Sequence, residues 1–167
     1  IFSKRIYRER NYNKALEVSS SIADKFPNHP FFAYLKAEAL VRLERYDEFH
    51  AYEPALEGFY LKGPVNQRVE CRAKHLYLKA LVAYQESRYT DAIKLCDQVI
   101  QGYQVEFKWI LGYAHLIRGK SAELVSGRSR IVLSDYKEAS NHLTHYPEYQ
   151  EAKHLMRHPI DEGLDSK

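Results

Sequence analysis

Apolar residues recur at intervals of three and four along most of this chain of 167 residues. That spacing places them on one face of an α-helix, whereas a half-buried strand needs an apolar residue at every second position. Sustained alternation and the Asn-Gly or Asp-Gly turns of β-hairpins do not occur in the sequence. The pattern therefore predicts an all-α fold. It is clearest in four stretches, Ala15 to Phe26, Phe32 to Leu43, Leu76 to Tyr84 and Ile93 to Ile100.

Composition excludes several classes of protein. Hydrophobic residues make up 45% and charged residues 28%, which is typical of a globular chain and not of a disordered tail or a membrane protein. The net charge of +3 is too small to indicate nucleic-acid binding. The longest uncharged apolar stretch, Trp109 to Ile117, is far shorter than the ~20 residues that a spanning helix needs. We therefore expect a soluble chain without a membrane-spanning segment.

A tyrosine stands at the predicted start of three helices. Tyr12 and Tyr46 lie 34 residues apart, and Tyr89 follows 43 residues after Tyr46. Each is followed by a residue that favours a helix start: Asn13, Asp47 and Thr90. Nine residues before each tyrosine stands a small residue that would let two helices approach closely: Ser3, Ala37 and Ala80. The spacing predicts a repeated unit of two helices joined by a short turn.

At these positions the chain resembles the tetratricopeptide repeat (TPR) family. The clearest segment is Leu78 to Ile100, in which Ala80, Tyr89 and Ala92 match the signature positions of the motif. Arg8 to Pro27 resembles the second helix of a preceding repeat, and His29 to Phe49 resembles the next first helix and turn. A fourth unit is similar through three residues, with one extra residue in its turn: Gly119, Gly127 and Tyr136.

The resemblance implies a right-handed α-solenoid of TPR-like helical hairpins with a C-terminal capping helix. We expect one repeat domain over residues 1–157 and a flexible tail over residues 158–167. The stacked hairpins need a lid because an open end exposes apolar core. The expected units are 1–28, 29–63, 65–103 and 105–145, with the cap at 147–157.

The chain departs from the family pattern in two ways. Pro54 stands within a predicted helix, where proline costs about 3 kcal/mol or forces a kink, so we expect that helix to be bent, shortened or split. Two connections are also longer than the motif allows, by nine residues near Glu57 to Arg68 and by five near Gly102 to Lys108. We interpret them as extensions of the first helices, which would then run over Val65–Glu86 and Val105–Ser126.

No catalytic or cofactor motif is present. Neither GxSxG, a P-loop, GxGxxG nor HExxH occurs, so we predict a protein that is not an enzyme, with no catalytic residue, no cofactor and no metal. The pairs His142/His145 and His154/His158 have helical spacing but lack a third ligand. Cys71 and Cys96 lack a CxxC spacing and are expected to be buried or half-buried thiols, with a disulfide and then a metal or catalytic role as less favoured alternatives. No nucleic-acid partner is expected.

Tyrosine is the residue type in surplus, with 14 copies against 7 glycines. In the TPR architecture the first helices line a concave surface, and the resemblance places a Tyr-rich, mildly basic face there. Tyrosine suits binding because it buries a large area with few rotors and keeps a hydroxyl. Lys and Arg beside it would favour an acidic protein or peptide. The candidate peptide-binding residues are Tyr34, Arg42, Lys74, Tyr77, Tyr84, Tyr113 and Lys120.

The leading functional hypothesis is a non-catalytic scaffold that binds a protein or peptide on this face. A second is that the chain is the C-terminal docking or regulatory arm of a longer enzyme or lipoprotein, since the first helix looks truncated. A third is self-association as a homodimer through an open N-terminal end that carries Ile1, Phe2 and Ile6.

Overall fold

The computed structural model describes residues 11–102 and 108–160, and these residues form eight α-helices and no strand. The predicted all-α class is confirmed for this part of the chain. The predictions at Ser3, at the start of the chain and at the end of the tail lie outside the described residues. The helices are α1 (Tyr12–Lys25), α2 (Pro30–Arg42), α3 (Tyr46–Lys62), α4 (Val65–Gln85), α5 (Tyr89–Gly102), α6 (Lys108–Ser126), α7 (Arg130–His142) and α8 (Glu148–Leu155).

The predicted helix starts agree with the structure. Helices α1, α3 and α5 begin at the three tyrosines that the sequence pattern singled out. The extended helix α4 begins at Val65 as predicted and ends at Gln85, one residue before the predicted end. Helix α6 ends at Ser126 as predicted, whereas its predicted start at Val105 lies outside the described residues. The predicted cap corresponds to α8.

Helix α3 passes through Pro54 without a break. It runs for 17 residues, so of the three expected outcomes, a bent, a shortened or a split helix, the split one is wrong. Phe49 and Leu56 stand on either side of the proline, and both side chains are completely buried. Burial of side chains of this size stabilises by about 1.5–3 kcal/mol each, which offsets the hydrogen bond that Pro54 cannot donate.

The chain divides into two compact units, Ile1–Leu78 and Lys79–Lys167, so helix α4 contributes residues to both. In the first unit α1 packs on α2 and α2 packs on α3. In the second unit α5 packs on α6, α6 on α7 and α7 on α8. In these five pairs each helix packs against its neighbour in sequence, as helical hairpins do.

Two of the hairpin turns have the same backbone structure. Glu44 after α2 and Ser87 after α4 adopt left-handed φ angles of 58° and 59°. In each turn the next N–H donates to a carbonyl five residues back, at 3.0 Å from Arg45 to Leu40 and at 2.8 Å from Arg88 to Ala83. This pair of features is the Schellman motif, which satisfies the last carbonyls of a helix. The turn after α6 uses Gly127, at a φ of 78°.

Small residues allow close contact between the helices of a hairpin. Ala37 and Ala80, at the predicted small positions, are completely buried. At Gly119 of α6 an added Cβ would lie only 2.8 Å from Cε1 of Tyr136 on α7. That separation is shorter than any ordinary carbon–carbon contact, so Gly119 is required for the approach of α7 to α6.

We expect Ser87→Gly to raise the free energy of unfolding by about 0.5–1 kcal/mol, because glycine adopts a left-handed φ without a steric penalty. The matched control is Ser134→Gly, at an exposed position inside α7, which should lower it by about 0.5 kcal/mol. Urea unfolding followed by circular dichroism measures both changes. Destabilisation by Ser87→Gly would contradict the turn structure.

We expect Gly119→Ala to lower the free energy of unfolding by about 1–3 kcal/mol, because the new methyl group must displace Tyr136. Gly58→Ala is the control, since a Cβ at Gly58 meets nothing within 4 Å and alanine favours helix α3 by up to about 1 kcal/mol. Thermal unfolding of both variants tests this difference, and equal shifts in the two variants would be inconsistent with close packing at Gly119.

Candidate functional site

Two of the predicted binding residues meet in the first unit. The guanidinium of Arg42 donates to the hydroxyl of Tyr77 at 3.0 Å, and that hydroxyl donates to Glu38 at 3.2 Å. Arg42 and Glu38 lie one turn apart on α2 and form an ion pair at 3.8 Å, with 17% of each side chain exposed. We call these three residues the Arg42 group. It brings a cation, a tyrosine and a carboxylate together at the edge of the core.

Two further predicted residues meet in the second unit. The ammonium of Lys120 lies 4.8 Å from the centre of the Tyr84 ring and 2.9 Å from a carboxylate oxygen of Glu151. Burial alone would lower the pKa of Lys120, but Glu151 and Tyr84 raise it above its ordinary value, so the ammonium stays charged. We call Tyr84, Lys120 and Glu151 the Lys120 group. Its lysine side chain is 18% exposed.

The other three predicted residues have partners of their own. The hydroxyl of Tyr34 donates to the carbonyl of Leu56 at 3.1 Å, and burial raises the pKa of this tyrosine. Tyr113 donates to Glu148 at 2.7 Å. Lys74 forms an ion pair with Glu70 of the same helix at 2.6 Å. Of these residues, Tyr34 and Tyr113 are buried, as is Tyr77 of the Arg42 group.

Sequence reasoning missed the carboxylates that α8 supplies. The sequence pattern singles out neither Glu148 nor Glu151, whereas the structure directs them to Tyr113 and Lys120. Both glutamates lie in the first turn of α8. No spacing within α8 points to these partners, because the two contacts span 35 and 31 residues of sequence.

A third group of charged side chains, the charged cluster, is more deeply buried. Asp135 is 2% exposed and accepts two hydrogen bonds from Arg118, at 2.6 and 3.0 Å. His115 lies 2.8 Å from the same carboxylate, and Arg118 also donates to Asp97 at 2.7 Å. Burial alone would raise the pKa of Asp135, but the hydrogen bonds from His115 and Arg118 outweigh it and lower that pKa. The cluster joins α5, α6 and α7.

The pairing of His115 with Asp135 has the geometry by which a carboxylate orients a general base. The cysteine in the same unit is Cys96. Its side chain is completely buried, and burial raises the pKa of its thiol. Reactive cysteines have the opposite properties, a lowered pKa and partial exposure. Cys96 and Cys71 are both free and buried, as the sequence predicts.

Residues 11–102 and 108–160 contain no cluster of three or more His, Cys, Asp or Glu side chains that could hold an ion. The rings of His154 and His158 lie 4.7 Å apart, but no third ligand accompanies them there. In the same part of the chain, no helix combines the length and hydropathy that crossing a bilayer requires.

Comparison of the chain with protein-family models, with curated proteins and with solved structures finds no match. The resemblance to TPR proteins therefore stays a prediction that depends on the residues themselves. Function is therefore inferred from the geometry of the two cation–tyrosine groups and of the charged cluster.

We expect Asp135→Asn to lower the free energy of unfolding by about 3–5 kcal/mol at neutral pH, because it leaves a part-buried guanidinium without its main partner. Asp97→Asn is the matched control on the same guanidinium. Since the side chain of Asp97 is 38% exposed, its loss should cost no more than about 1 kcal/mol. Urea unfolding of the two variants measures the difference, and equal costs would contradict the assignment.

The effect of Asp135→Asn on the free energy of unfolding also has an expected pH dependence. A carboxyl whose pKa is lowered on folding stabilises the fold above its ordinary pKa of 3.8 and loses this effect as the pH falls below that value. The stability difference between the unmodified chain and Asp135→Asn should therefore be constant near neutral pH and shrink towards about pH 3. A stability difference that grows as the pH falls would contradict a lowered pKa of Asp135.

Proposed function

We propose that this chain is a non-catalytic protein-binding scaffold, a right-handed α-solenoid of TPR-like hairpins whose first helices bind acidic segments of a partner. The observation that supports it is the recurrence of one chemical arrangement. Each unit holds a part-buried cation against a tyrosine and a carboxylate, in the Arg42 group and in the Lys120 group. Five of the six residues lie on first helices of the proposed hairpins, namely α2, α4 and α6, and Glu151 lies on the proposed cap, α8.

The binding step in this proposal is an exchange of carboxylates. A glutamate or aspartate of the partner replaces Glu151 at the ammonium of Lys120, while apolar atoms of the partner pack near the ring of Tyr84. Glu151 can leave at low cost, because its side chain is 38% exposed and its carboxylate becomes hydrated. The positive charge of Lys120 is secured by its raised pKa, so the site keeps its preference for anions at all ordinary pH values.

The Arg42 group would act in the same manner in its own unit. Arginine presents a planar set of donors that matches a carboxylate, and Tyr77 holds one of those donors in place. Tyr77 itself is 1% exposed, so it serves to position Arg42 and not to contact the partner directly. In this proposal the two cations contribute the specificity.

We propose further that the chain has no catalytic activity of its own. The thiol of Cys96 is buried and protonated, which supports this view, because nucleophilic catalysis requires an accessible thiolate. Asp135 of α7 holds Arg118 and His115 of α6 in place, which is a structural task. The charged cluster therefore gains a role in stability under this proposal.

Two substitutions with opposite effects test the proposed site. Lys120→Gln should weaken binding of acidic peptides about tenfold, whereas Glu151→Gln should strengthen it about threefold, because it removes the competing carboxylate. The probes are fluorescein-labelled peptides that combine glutamates with leucines, and matched peptides in which glutamine replaces each glutamate. Fluorescence anisotropy at low and high salt measures the affinities.

Lys94→Gln is the control for the loss of one positive charge, since Lys94 is exposed on α5, outside both groups. It should leave the affinity unchanged. Circular dichroism verifies that each variant keeps its helix content. If no glutamate peptide binds, or if Lys120→Gln and Glu151→Gln shift the affinity in the same direction, the proposed site is wrong.

A further inference from the structure

The start of helix α4 is a surface that neither the core nor the two cation–tyrosine groups use. Residues 64–69 are all exposed, and Cys71 is the first buried residue of the helix. Val65 is 76% exposed and Val69 is 51% exposed, which are high values for aliphatic side chains. These residues belong to the stretch by which the chain exceeds the repeat pattern, so the extension adds helix without adding core.

The exposed aliphatic side chains alternate with cations. On α4 the spacings of three and four place Val65, Arg68, Val69 and Arg72 on one face of the helix. Leu61, which is 62% exposed, and Lys62 end the preceding helix α3. We call this set the basic apolar stripe: Leu61, Lys62, Val65, Arg68, Val69 and Arg72.

The cations of the stripe have no acidic partner among the described residues. Lys62, Arg68 and Arg72 form no ion pair there, in contrast to Arg42, Arg118 and Lys120, each of which contacts a carboxylate. Arg68 donates one hydrogen bond, from Nε to the carbonyl of Gly63 at 2.7 Å. That bond holds the guanidinium near the turn between α3 and α4 and leaves its remaining donors for a ligand.

We propose that the basic apolar stripe binds an acidic amphipathic helix of a partner protein. Aliphatic side chains at helical spacing fit the apolar face of a second helix, and flanking cations fit glutamates beside that face. This surface goes beyond the proposed peptide site, with which it shares no residue. A lipid surface is a poorer match, because interfacial helices present aromatic or leucine side chains over a longer apolar face, and α4 offers two valines here.

A charge exchange tests the proposal. The probe is a labelled synthetic helical peptide with leucines on one face and glutamates flanking them, and its partner probe carries lysines in place of the glutamates. The double variant Arg68→Glu with Arg72→Glu should bind the glutamate peptide at least about tenfold more weakly. The same variant should gain affinity for the lysine peptide. Val69→Ser should weaken binding of both peptides. The part of the affinity that does not change with salt concentration should fall, because the lost contact is apolar.

Arg130→Glu with Ile131→Ser is the matched control, because Ile131 is 72% exposed and lies beside an exposed arginine on α7. It should leave both affinities unchanged. The charge reversal at the stripe is therefore also measured in the Lys120→Gln variant, in which the proposed peptide site is weakened, so failure of this proposal and failure of the peptide site can be told apart.

Three results would overturn the inference. The first is binding of the glutamate peptide that the charge reversal does not weaken. The second is binding to vesicles of phosphatidylcholine and phosphatidylserine, abolished by the same reversal, without binding of the peptide. The third is a dimer in sedimentation equilibrium that Val69→Asp dissociates, since a second copy would then cover the stripe.

Discussion

The hairpins of this protein depend on a left-handed residue that ends the first helix. At Glu44 and at Ser87 the chain reverses within three residues, and one hydrogen bond to a carbonyl five positions back fixes the direction of the next helix. Because that direction is set by the backbone, the following helix starts at a defined position, at Tyr46 or at Tyr89. Contacts between the two helices of a hairpin require this return.

How far the sequence predicts this fold depends on how local each cause is. Helix starts at the three tyrosines follow from periodicity and from residues that favour a first turn, so they could be predicted. The left-handed turns could not, because Glu44 and Ser87 lack the glycine that signals such a position, and only Gly127 carries it. Pro54 shows the opposite failure, in which a local rule included a split helix among its outcomes, whereas the helix is continuous and buries Phe49 and Leu56 on either side of the proline.

The candidate site shows the same difference between local features and features that depend on packing. Its cations and tyrosines could be named in advance from the proposed repeat register, although their role in binding stays a prediction. The partners of these side chains could not, since Glu151 reaches Lys120 from 31 residues away in sequence. Such a contact depends on how α8 packs, which no spacing within α8 determines.

The tyrosine surplus has a largely structural explanation. Tyr34, Tyr113 and Tyr136 are buried, and each hydroxyl donates to an acceptor on another helix of its unit. A buried hydroxyl without an acceptor would cost about 1–3 kcal/mol, so each pair also restricts how its helices can pack. Phenylalanine has no hydroxyl and could not link two helices in this way. The number of tyrosines is therefore a weak guide to binding, and the tyrosines of the Arg42 group and the Lys120 group are the informative ones.

The extension of α4 requires a different explanation, because it does little for stability. Two turns of helix that bury nothing gain little from packing, and valine has a lower helix propensity than alanine, lysine or glutamate. A surface selected only for folding and solubility would carry those residues in place of Val65 and Val69, and would pair its arginines with carboxylates, as α1 pairs Lys14 with Glu17. The stripe instead keeps exposed aliphatic side chains beside cations without acidic partners among the described residues. That combination is unfavourable for an isolated helix and favourable for one that receives a partner.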